Sequence, residues 1–379
     1  TEGYLFKLRS YHNSSIFLNP FSSLNLAVYK KKGRNKMKFI KTITILMAFS
    51  AMAFGNMDRI GALGGNPGFW PEDDANVSSF PAMINNLDMV QVSGAGSPSG
   101  AATVIWGEDD SCTWGFSFDG ANDDDDNDWV NLMWGNGTYG ATFALGSSSE
   151  SDGDNETSSF GLDLGFGMNM DFGELGLKFL TANTDDGSDA DQPSTMALGL
   201  NLRRAQDIWL FDNMLVGFSM HNETQGDALD NDLNLSVDLF TALPAGDGVS
   251  ATFAMGFGFW SNTLNEGTEG EDDLASSVIT LPSVNLGVEA EVTDWAKVRF
   301  GLGHAYVVSG SIGDDYTWTG ASIDGESNFN WNFGLGFDYG TFTLDMVLEN
   351  TDLFNDPVRY ITGRNDDALS SSATLTWTF

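Results

Sequence analysis

Large apolar residues alternate with small or polar residues in many segments of this chain. In segment 160–170, Phe, Leu and Met occupy every second position, and Gly, Asp or Asn stand between them. Segments 233–239, 249–259, 329–339 and 342–348 repeat the pattern. A period of two residues indicates β-strands with two unlike faces, and clusters of Gly, Asn, Asp and Ser mark the turns between them. The pattern therefore predicts an array of strands from about residue 86 to the end.

Three features favour a membrane barrel over a soluble β-sandwich, whose strands also alternate. Several predicted strands reach ten residues or more, which is enough to cross a bilayer when tilted. The face opposite the apolar one is mainly Gly, Asn, Thr and Ser. Short turns alternate with longer acidic connections, as at the two ends of bacterial barrels. We predict the acidic loops at 119–128, 147–157, 184–193, 223–230, 262–277, 309–327 and 350–369.

The predicted fold class is all-β: a transmembrane antiparallel up-and-down β-barrel of about 16 strands over residues 86–379. An even number of strands places both termini in the periplasm. Fourteen strands is the alternative, because the first three predicted strands are short. Aromatic residues near strand ends favour a belt at the level of the lipid headgroups. These residues are Trp129, Trp134, Tyr139, Trp209, Trp260, Trp295 and Tyr339.

Residues 37–55 have the pattern of an export signal. Met37 is followed by the bases Lys38 and Lys41, by the apolar stretch 43–49 and by small residues before position 56. The apolar stretch is far shorter than the ~20 residues that a membrane-spanning helix needs. We expect 37–55 to be a signal peptide removed on export. We expect residues 1–36, which do not begin with Met, to be an upstream extension outside the native protein.

Removal of residues 1–55 makes the chain strongly acidic. That stretch holds nine of the 17 Lys and Arg residues but only one of the 53 Asp and Glu residues. The rest of the chain therefore has 8 bases against 52 acids, a net charge of −44. Such a chain repels nucleic acid, which we exclude as a partner. Cys112 is the only cysteine, which excludes an intrachain disulfide and a thiolate metal cluster.

The densest acidic run is Asp123, Asp124, Asp125 and Asp126. Its oxygens suit Ca²⁺ or Mg²⁺, but the spacing lacks the Gly and the final Glu of an EF-hand loop. A solvated loop is the favoured interpretation. The alternative is weak divalent binding that bridges the loop to lipopolysaccharide phosphates. No other cofactor is expected.

The chain ends in an alternating segment, 373–379, whose last residue is Phe379. This ending resembles the signal that the barrel-assembly machinery reads in Gram-negative outer-membrane proteins. The resemblance implies that this machinery inserts the protein into the cell outer membrane, in contact with outer-membrane lipid and lipopolysaccharide.

Residues 56–85 lack the alternation and are rich in Gly and Pro, so they do not form a barrel strand. They resemble the mature N-terminus of the long-chain fatty-acid outer-membrane transporter superfamily, which includes secretion-shuttle relatives. The matching residues are Gly64, Gly65, Asp73, Asp74, Asn76 and Pro81. The resemblance implies a fourteen-stranded barrel whose N-terminal segment folds inward as a plug. The chain departs from the family's Asn-Pro-Ala-Gly-Leu box, since Phe80 precedes Pro81 and Met-Ile follows Ala82. A plug is favoured over a segment that hangs below the barrel.

Charged residues on polar strand faces are expected in the lumen. Glu289 and Glu291 precede the turn 293–295, and Lys297 and Arg299 follow it. A three-residue turn sets Glu291 opposite Lys297 and Glu289 opposite Arg299. Opposite charges across strands stabilise by a few tenths to ~1 kcal/mol. Bracing of the wall by these pairs is favoured over a ligand site. Lys178 and Arg203 also fall on polar faces.

The predicted function is an outer-membrane channel or transporter, porin-like or plugged, for passive passage of small or hydrophobic solutes. The alternative is a non-conducting barrel that acts as a structural anchor or a secretion-partner shuttle. An enzyme is not expected. Ser219 shares a strand face with His221, but such pairs are usually incidental, and catalysis needs a third group to orient the histidine.

Overall fold

Sixteen antiparallel strands close into one barrel in the computed structural model. The model describes residues 56–95, 100–108, 112–119, 128–151, 156–185, 192–266, 274–312, 316–318, 329–348 and 371–379. The strands are β1 (Met89–Ala95), β2 (Ala101–Glu108), β3 (Cys112–Asp119), β4 (Asp128–Gly135), β5 (Tyr139–Ser151), β6 (Glu156–Met170), β7 (Gly173–Asp185), β8 (Ser194–Ile208), β9 (Phe211–Gln225), β10 (Ala228–Ala242), β11 (Val249–Glu266), β12 (Leu274–Thr293), β13 (Ala296–Ile312), β14 (Tyr316–Trp318), β15 (Phe329–Tyr339), β16 (Phe342–Leu348) and β17 (Ser371–Thr378).

The first and last strands pair with each other and close the ring. Met89 lies opposite Thr378, and Val92 lies opposite Leu375. All other wall pairs join strands that follow one another, with β13 beside β15; the three-residue β14 pairs with the end of β13. Closure pairs the edges of the first and last described strands with each other, so these edges are not open to lipid. The predicted barrel of sixteen strands is confirmed, and the fourteen strands that the family resemblance implied are wrong for this chain.

The two faces of the wall differ as the alternation predicts. Leu132 is 52% exposed on the outside, whereas its neighbour Asn131 is 1% exposed because it points into the lumen. Inward polar residues bond across strands, as Thr103 Oγ1 does to Ser117 Oγ at 3.0 Å. An apolar outer surface around a polar interior is the pattern of a barrel that spans a lipid bilayer.

The short connections gather at one end of the barrel, which we define as the periplasmic end because both chain ends of the barrel lie there. β9 and β10 meet at the opposite end through a two-residue turn at 226–227. The predicted loop 223–230 is therefore wrong, since most of it continues the two strands. β11, β12 and β13 run for 17–20 residues. They are longer than the ~9–11 residues that cross a bilayer, so they extend beyond it. The whole acidic run 123–126 lies outside the described residues, as do 152–155, 186–191, 267–273, 313–315, 319–327 and 350–369 of the other predicted acidic loops.

Aromatic side chains surround the periplasmic end. Trp209, Trp295 and Tyr339 stand at turns and are exposed. Trp260 is a correction, because it points into the lumen: its Nε1 donates to Asp232 Oδ1 at 3.1 Å. An indole favours the headgroup level only on the outer face of the wall. The alternation along β11 places Trp260 on the inner face.

One α-helix and three short 3₁₀ helices precede the barrel strands. They are α1 (Met57–Ala62) and the turns Pro67–Phe69, Asp74–Ser78 and Pro81–Asn86. In the described ranges, no helix has the length and apolar character needed to cross a membrane. These elements lie inside the barrel, as their contacts below establish.

The outward position of Leu164 generates a test of the two faces. Replacing Leu164 with Arg places a charge in the lipid, which we expect to cost about 2–4 kcal/mol of unfolding free energy near the bilayer midplane. Urea titration of the protein in lipid vesicles measures the change. Leu164→Ala is the control for lost packing. An arginine variant no less stable than the alanine variant would contradict the assignment of faces.

Candidate functional site: the plugged lumen

Residues 56–88, here called the plug, occupy the lumen and pack against its wall. Apolar plug residues meet inward-facing wall residues in one buried cluster. On the plug side the cluster contains Phe69, Val77, Phe80, Met83 and Ile84, and on the wall side Ile105, Met133, Ala144, Leu180, Leu215, Phe240 and Ala254. The rings of Phe69 and Phe240 are 5.5 Å apart. Plug contacts also reach β1, β3, β6, β12, β13 and β15–β17, so the plug touches the wall on every side.

Glycines give the plug room to approach the wall backbone. A side chain at Gly140, Gly167 or Gly176 would overlap the plug backbone at residues 79–82, and one at Gly301 would overlap Gly64. The glycines that alternate with apolar residues along these strands are therefore the surface on which the plug rests. The expectation of a porin-like water-filled lumen is corrected at this level, because plug backbone fills the space that these glycines leave.

The end of helix α1 depends on two glycines that the sequence analysis singled out. Gly64 and Gly65 have φ of +100° and +82°, a conformation that side chains disfavour. Gly65 N donates to Ile60 O at 2.7 Å and closes the helix end. Asn285 Nδ2 on β12 donates to Gly64 O at 3.2 Å, which ties this turn to the wall.

Arg203 on β8 anchors the middle of the plug. Its Nε donates to Glu174 Oε2 at 2.5 Å, and its Nη1 donates to Asn76 Oδ1 at 2.9 Å and to Gly68 O at 3.2 Å. The guanidinium also lies 4.6 Å from the centroid of the Phe80 ring. Asn76 is fully buried and donates to Trp70 O and Asp73 O, so it holds the plug in the shape that Arg203 recognises. Loss of one partner of such a buried pair costs about 3–5 kcal/mol.

A second network, around Arg299 on β13, fastens helix α1. Arg299 is 1% exposed, and it donates to Glu289 Oε2 at 2.5 Å and lies 2.5 Å from Asp345 Oδ1. Arg59 of the plug shares Glu289, with Nε 3.1 Å from Oε2, and also pairs with Asp73. Asn56 Nδ2 donates to Asp345. Two guanidinium groups and three carboxylates thus join the plug to three wall strands.

Two plug carboxylates complete the attachment. Asp58 accepts hydrogen bonds from the hydroxyls of Ser372 and Thr374 on β17, although burial raises the pKa of Asp58 above its usual value. Asp74 accepts from Asn56 N at 2.7 Å and from Gln91 Nε2 at 2.8 Å. Burial, and next the negative charge of Asp73, raise the pKa of Asp74 to about 7. Asp74 therefore changes charge near neutral pH, where an ordinary carboxyl stays ionised.

A cavity of about 460 Å³ opens between plug and wall at the periplasmic mouth. Arg59, Asp74, Arg299 and Asp345 are among its lining residues, so solvent reaches the edge of the network there. Phe379 also lines it, and its ring lies 5.5 Å from that of Trp377 at this rim. Recognition of Phe379 by the assembly machinery stays a prediction.

The predicted charge pairs are brought together in part. Glu289 lies opposite Arg299 and Glu291 opposite Lys297 in the β12–β13 register, as expected. Lys297 Nζ, however, lies 2.9 Å from Asp338 on β15, so the expected ion pair with Glu291 is wrong. Because lysine carries a single ammonium group on a flexible side chain, Lys297 can turn towards either neighbouring strand, and it pairs with Asp338 on β15. Lys178 pairs with Asp163 at 3.0 Å within the wall.

Sequence reasoning placed Gly64, Gly65, Asp73, Asp74, Asn76 and Pro81 in a plug, where Gly64, Asp74, Asn76 and Pro81 lie against the wall while Gly65 and Asp73 bond within the plug. It missed the residues on the other side of these contacts. Glu174, Gln91 and Asp345 each stand on an inward strand face, where a buried charge or amide needs a partner. An inward position was the available signal that these residues need a partner, but it does not show which distant segment supplies that partner.

Comparisons with known proteins yield remote structural similarity. No protein-family model matches the chain, and no curated protein matches it in sequence. CdiB from Acinetobacter baumannii is 11% identical with a TM-score of 0.37, over 77% of this chain and 59% of that chain. BamA from Haemophilus ducreyi lacking POTRA domains 1–3 is 10% identical with a TM-score of 0.36, over 77% and 69%. OmpT of Vibrio cholerae is 10% identical with a TM-score of 0.33, over 77% and 96%.

Similarities this weak carry no information on activity, and the class of the protein follows from its own architecture. The barrel is closed, has an even number of strands, and is apolar outside and polar inside. Barrels of this kind belong to bacterial outer membranes. The protein is accordingly a Gram-negative outer-membrane β-barrel, located in the cell outer membrane.

The glycine surface generates a test of plug seating. Gly176→Ala adds one methyl group against Ser79, so we expect the barrel to assemble while the plug is displaced. Arg59 is the only Lys or Arg within 56–88, so trypsin should cut the displaced plug there. Gly199→Ala is the matched control, because its added methyl makes an ordinary 3.5 Å contact with Lys178. Equal protection of Arg59 in both variants would show that Gly176 does not seat the plug.

Proposed function

We propose that the protein is a gated outer-membrane transporter in which the plug closes the lumen and must shift for a solute to pass. The observation that carries the proposal is the ring of contacts between plug and wall, from the apolar cluster on β2, β4, β5, β7 and β9–β11 to the charged networks on β8, β12, β13 and β16. An open porin is not proposed, since these contacts leave the lumen filled at this level.

The character of the contacts supports movement of the plug over permanent closure. The part of the attachment around Arg59, Asp74 and Arg299 is polar and borders the periplasmic cavity. Charged hydrogen bonds at a wet boundary exchange for water at lower cost than a dry apolar interface. We propose that the networks around Arg203 and Arg299 hold the closed state and that their rearrangement opens it.

The lumen beyond the plug supports a small polar solute. Ser148 and Ser159 share an inward hydrogen bond of 2.8 Å, and Asn262 Nδ2 donates to Asp230 Oδ1 at 2.6 Å. A wall with such groups can hydrogen-bond to polar cargo, whereas hydrophobic cargo would displace the water that hydrates their remaining donors and acceptors. The hydrophobic cargo of the fatty-acid transporter resemblance is therefore not part of the proposal. No catalytic step is proposed.

A reversible lock tests the proposal. Val347 Cβ lies 3.9 Å from the position of a Cβ on Gly61, within the 3.5–4.5 Å range of disulfides. We expect Gly61→Cys with Val347→Cys, in a Cys112→Ser background, to form a disulfide that fixes helix α1 to β16. In planar bilayers the oxidised protein should be silent, and reduction should restore the openings of the background protein. Each single-cysteine variant is the control for substitution alone.

Deletion of residues 56–85 supplies the fully open reference. Conductance of the oxidised double-cysteine protein equal to that of the background would refute gating by plug movement. If neither the reduced protein nor the deletion variant conducts, the protein is a non-conducting barrel, and the anchor or shuttle function takes its place.

A further inference from the structure

A second polar group of residues lies on the lumen wall beyond the plug. Glu223, Asp230 and Asp232, here called the outer acidic cluster, face the lumen near the outer ends of β9 and β10. Glu223 lies directly opposite Asp230 in the strand register, and His221 lies opposite Asp232. Leu215, which contacts the plug, is eight residues before Glu223 on β9. This separation corresponds to roughly 25 Å along the strand, so the cluster is reached from the outer opening of the barrel.

No described Lys or Arg forms an ion pair with the cluster. Like charges directly opposite each other in neighbouring strands destabilise the pair. Within the described ranges, the ion pairs of Arg59, Lys178, Arg203, Lys297 and Arg299 are all made with other carboxylates. Among the described residues, the three carboxylates are therefore held together without an ion pair to Lys or Arg, and the imidazole of His221 lies on the same face opposite Asp232.

One of these carboxylates also has an oxygen without a partner. Glu223 is only 3% exposed, so it is more than nine-tenths buried. No described residue donates a hydrogen bond to its Oε1. Asp230 and Asp232 are different, because Asn262 Nδ2 donates to them at 2.6 and 3.1 Å. A buried acceptor left unpaired costs about 1–3 kcal/mol, and more when it is charged. Glu223 Oε1 is therefore free to accept a hydrogen bond from a donor that no described residue supplies.

The spacing of the acids indicates the kind of cation. Among the described residues, no three His, Cys, Asp or Glu side chains are placed to hold a metal ion. A metal gathers its oxygens at about 2.0–2.6 Å, which requires a tight group. An ammonium nitrogen donates three hydrogen bonds of about 2.7–2.9 Å, so it joins carboxylates that stand further apart. One ammonium group can donate to Glu223 Oε1, and a second can donate to Asp230 and Asp232, which adjoin each other because both accept from Asn262 Nδ2.

We propose that the outer acidic cluster is a binding site for an organic cation with primary ammonium groups, of the aliphatic diamine class. Glu223 Oε1 accepts one ammonium proton, and Asp230 and Asp232 accept others. Asn262 and Trp260 hold Asp230 and Asp232 in place through the hydrogen bonds that they donate. The inference goes beyond the proposed function, because binding at this position requires no movement of the plug.

Isothermal titration of the purified full-length protein with 1,4-diaminobutane tests the site. Glu223→Gln keeps the shape and removes the charge, so we expect the affinity to fall about tenfold or more, the loss of one hydrogen bond to a charged group. Asp212→Asn is the matched control: it removes one charge from the same strand, at the exposed periplasmic end, and should leave the affinity unchanged. Neutral 1,4-butanediol should not bind.

Each other outcome overturns the proposal. Absence of diamine binding, or equal affinity of wild type and Glu223→Gln, removes the site. If CaCl₂ binds in a Glu223-dependent way and the diamine does not, the occupant is a metal ion. The oxidised double-cysteine protein separates this proposal from gating, because locking the plug should abolish conductance and leave diamine binding intact.

Discussion

The structure depends on the requirement that a buried cation be paired. Arg203 and Arg299 stand on the inner face of the wall and are almost fully buried, where an unpaired guanidinium would be too costly to keep. Each finds one carboxylate on a neighbouring strand, Glu174 or Glu289. Their remaining donors face the lumen, and the plug meets them directly at Arg203 and through the shared carboxylates Glu289 and Asp345 at Arg299. The plug therefore supplies part of the pairing that the buried cations of the wall require.

The wall and the plug also fill the lumen together. Sixteen strands enclose more space than their own side chains fill, and glycines on the inner face leave further room. The plug backbone enters at Gly140, Gly167, Gly176 and Gly301, while Phe69, Phe80 and Ile84 fill the gaps with apolar side chains. Beyond the plug the wall becomes polar and acidic. The periplasmic half of the lumen is thus filled by the plug, and the outer half carries inward-facing acidic groups such as Glu223 and Asp230.

The barrel could be predicted from the sequence, because alternation is a local property. Segment 160–170 shows both faces without reference to any other strand. The prediction failed where this contrast disappears. At 223–230 the strands extend beyond the bilayer, both faces are polar, and the wall was taken for a loop. Trp260 was misplaced for a related reason. It was assigned to the lipid belt because it is an aromatic residue near a strand end, and the alternation along β11, which places it on the inner face, was not applied.

The residues of the candidate site could be predicted in part, but the contacts between them could not. The plug residues Gly64, Asp73 and Asn76 formed a recognisable segment, and Arg203 and Arg299 stood out as rare bases on polar faces. Which of them meet depends on contacts between positions more than a hundred residues apart, such as Asn76 with Arg203. Lys297 shows the limit even for near neighbours, because the register set Glu291 opposite it while Asp338 took the ion pair.

The central claim is that wall cations paired with the plug keep the lumen closed. Single-channel recording of Arg203→Met and Lys178→Met tests it most directly, since both remove a lumen base from an ion pair but only Arg203 donates to the plug. Loss of about 3–5 kcal/mol of plug attachment should give frequent openings in Arg203→Met, while Lys178→Met behaves as the unmodified protein. Equal behaviour of the two variants would contradict the account.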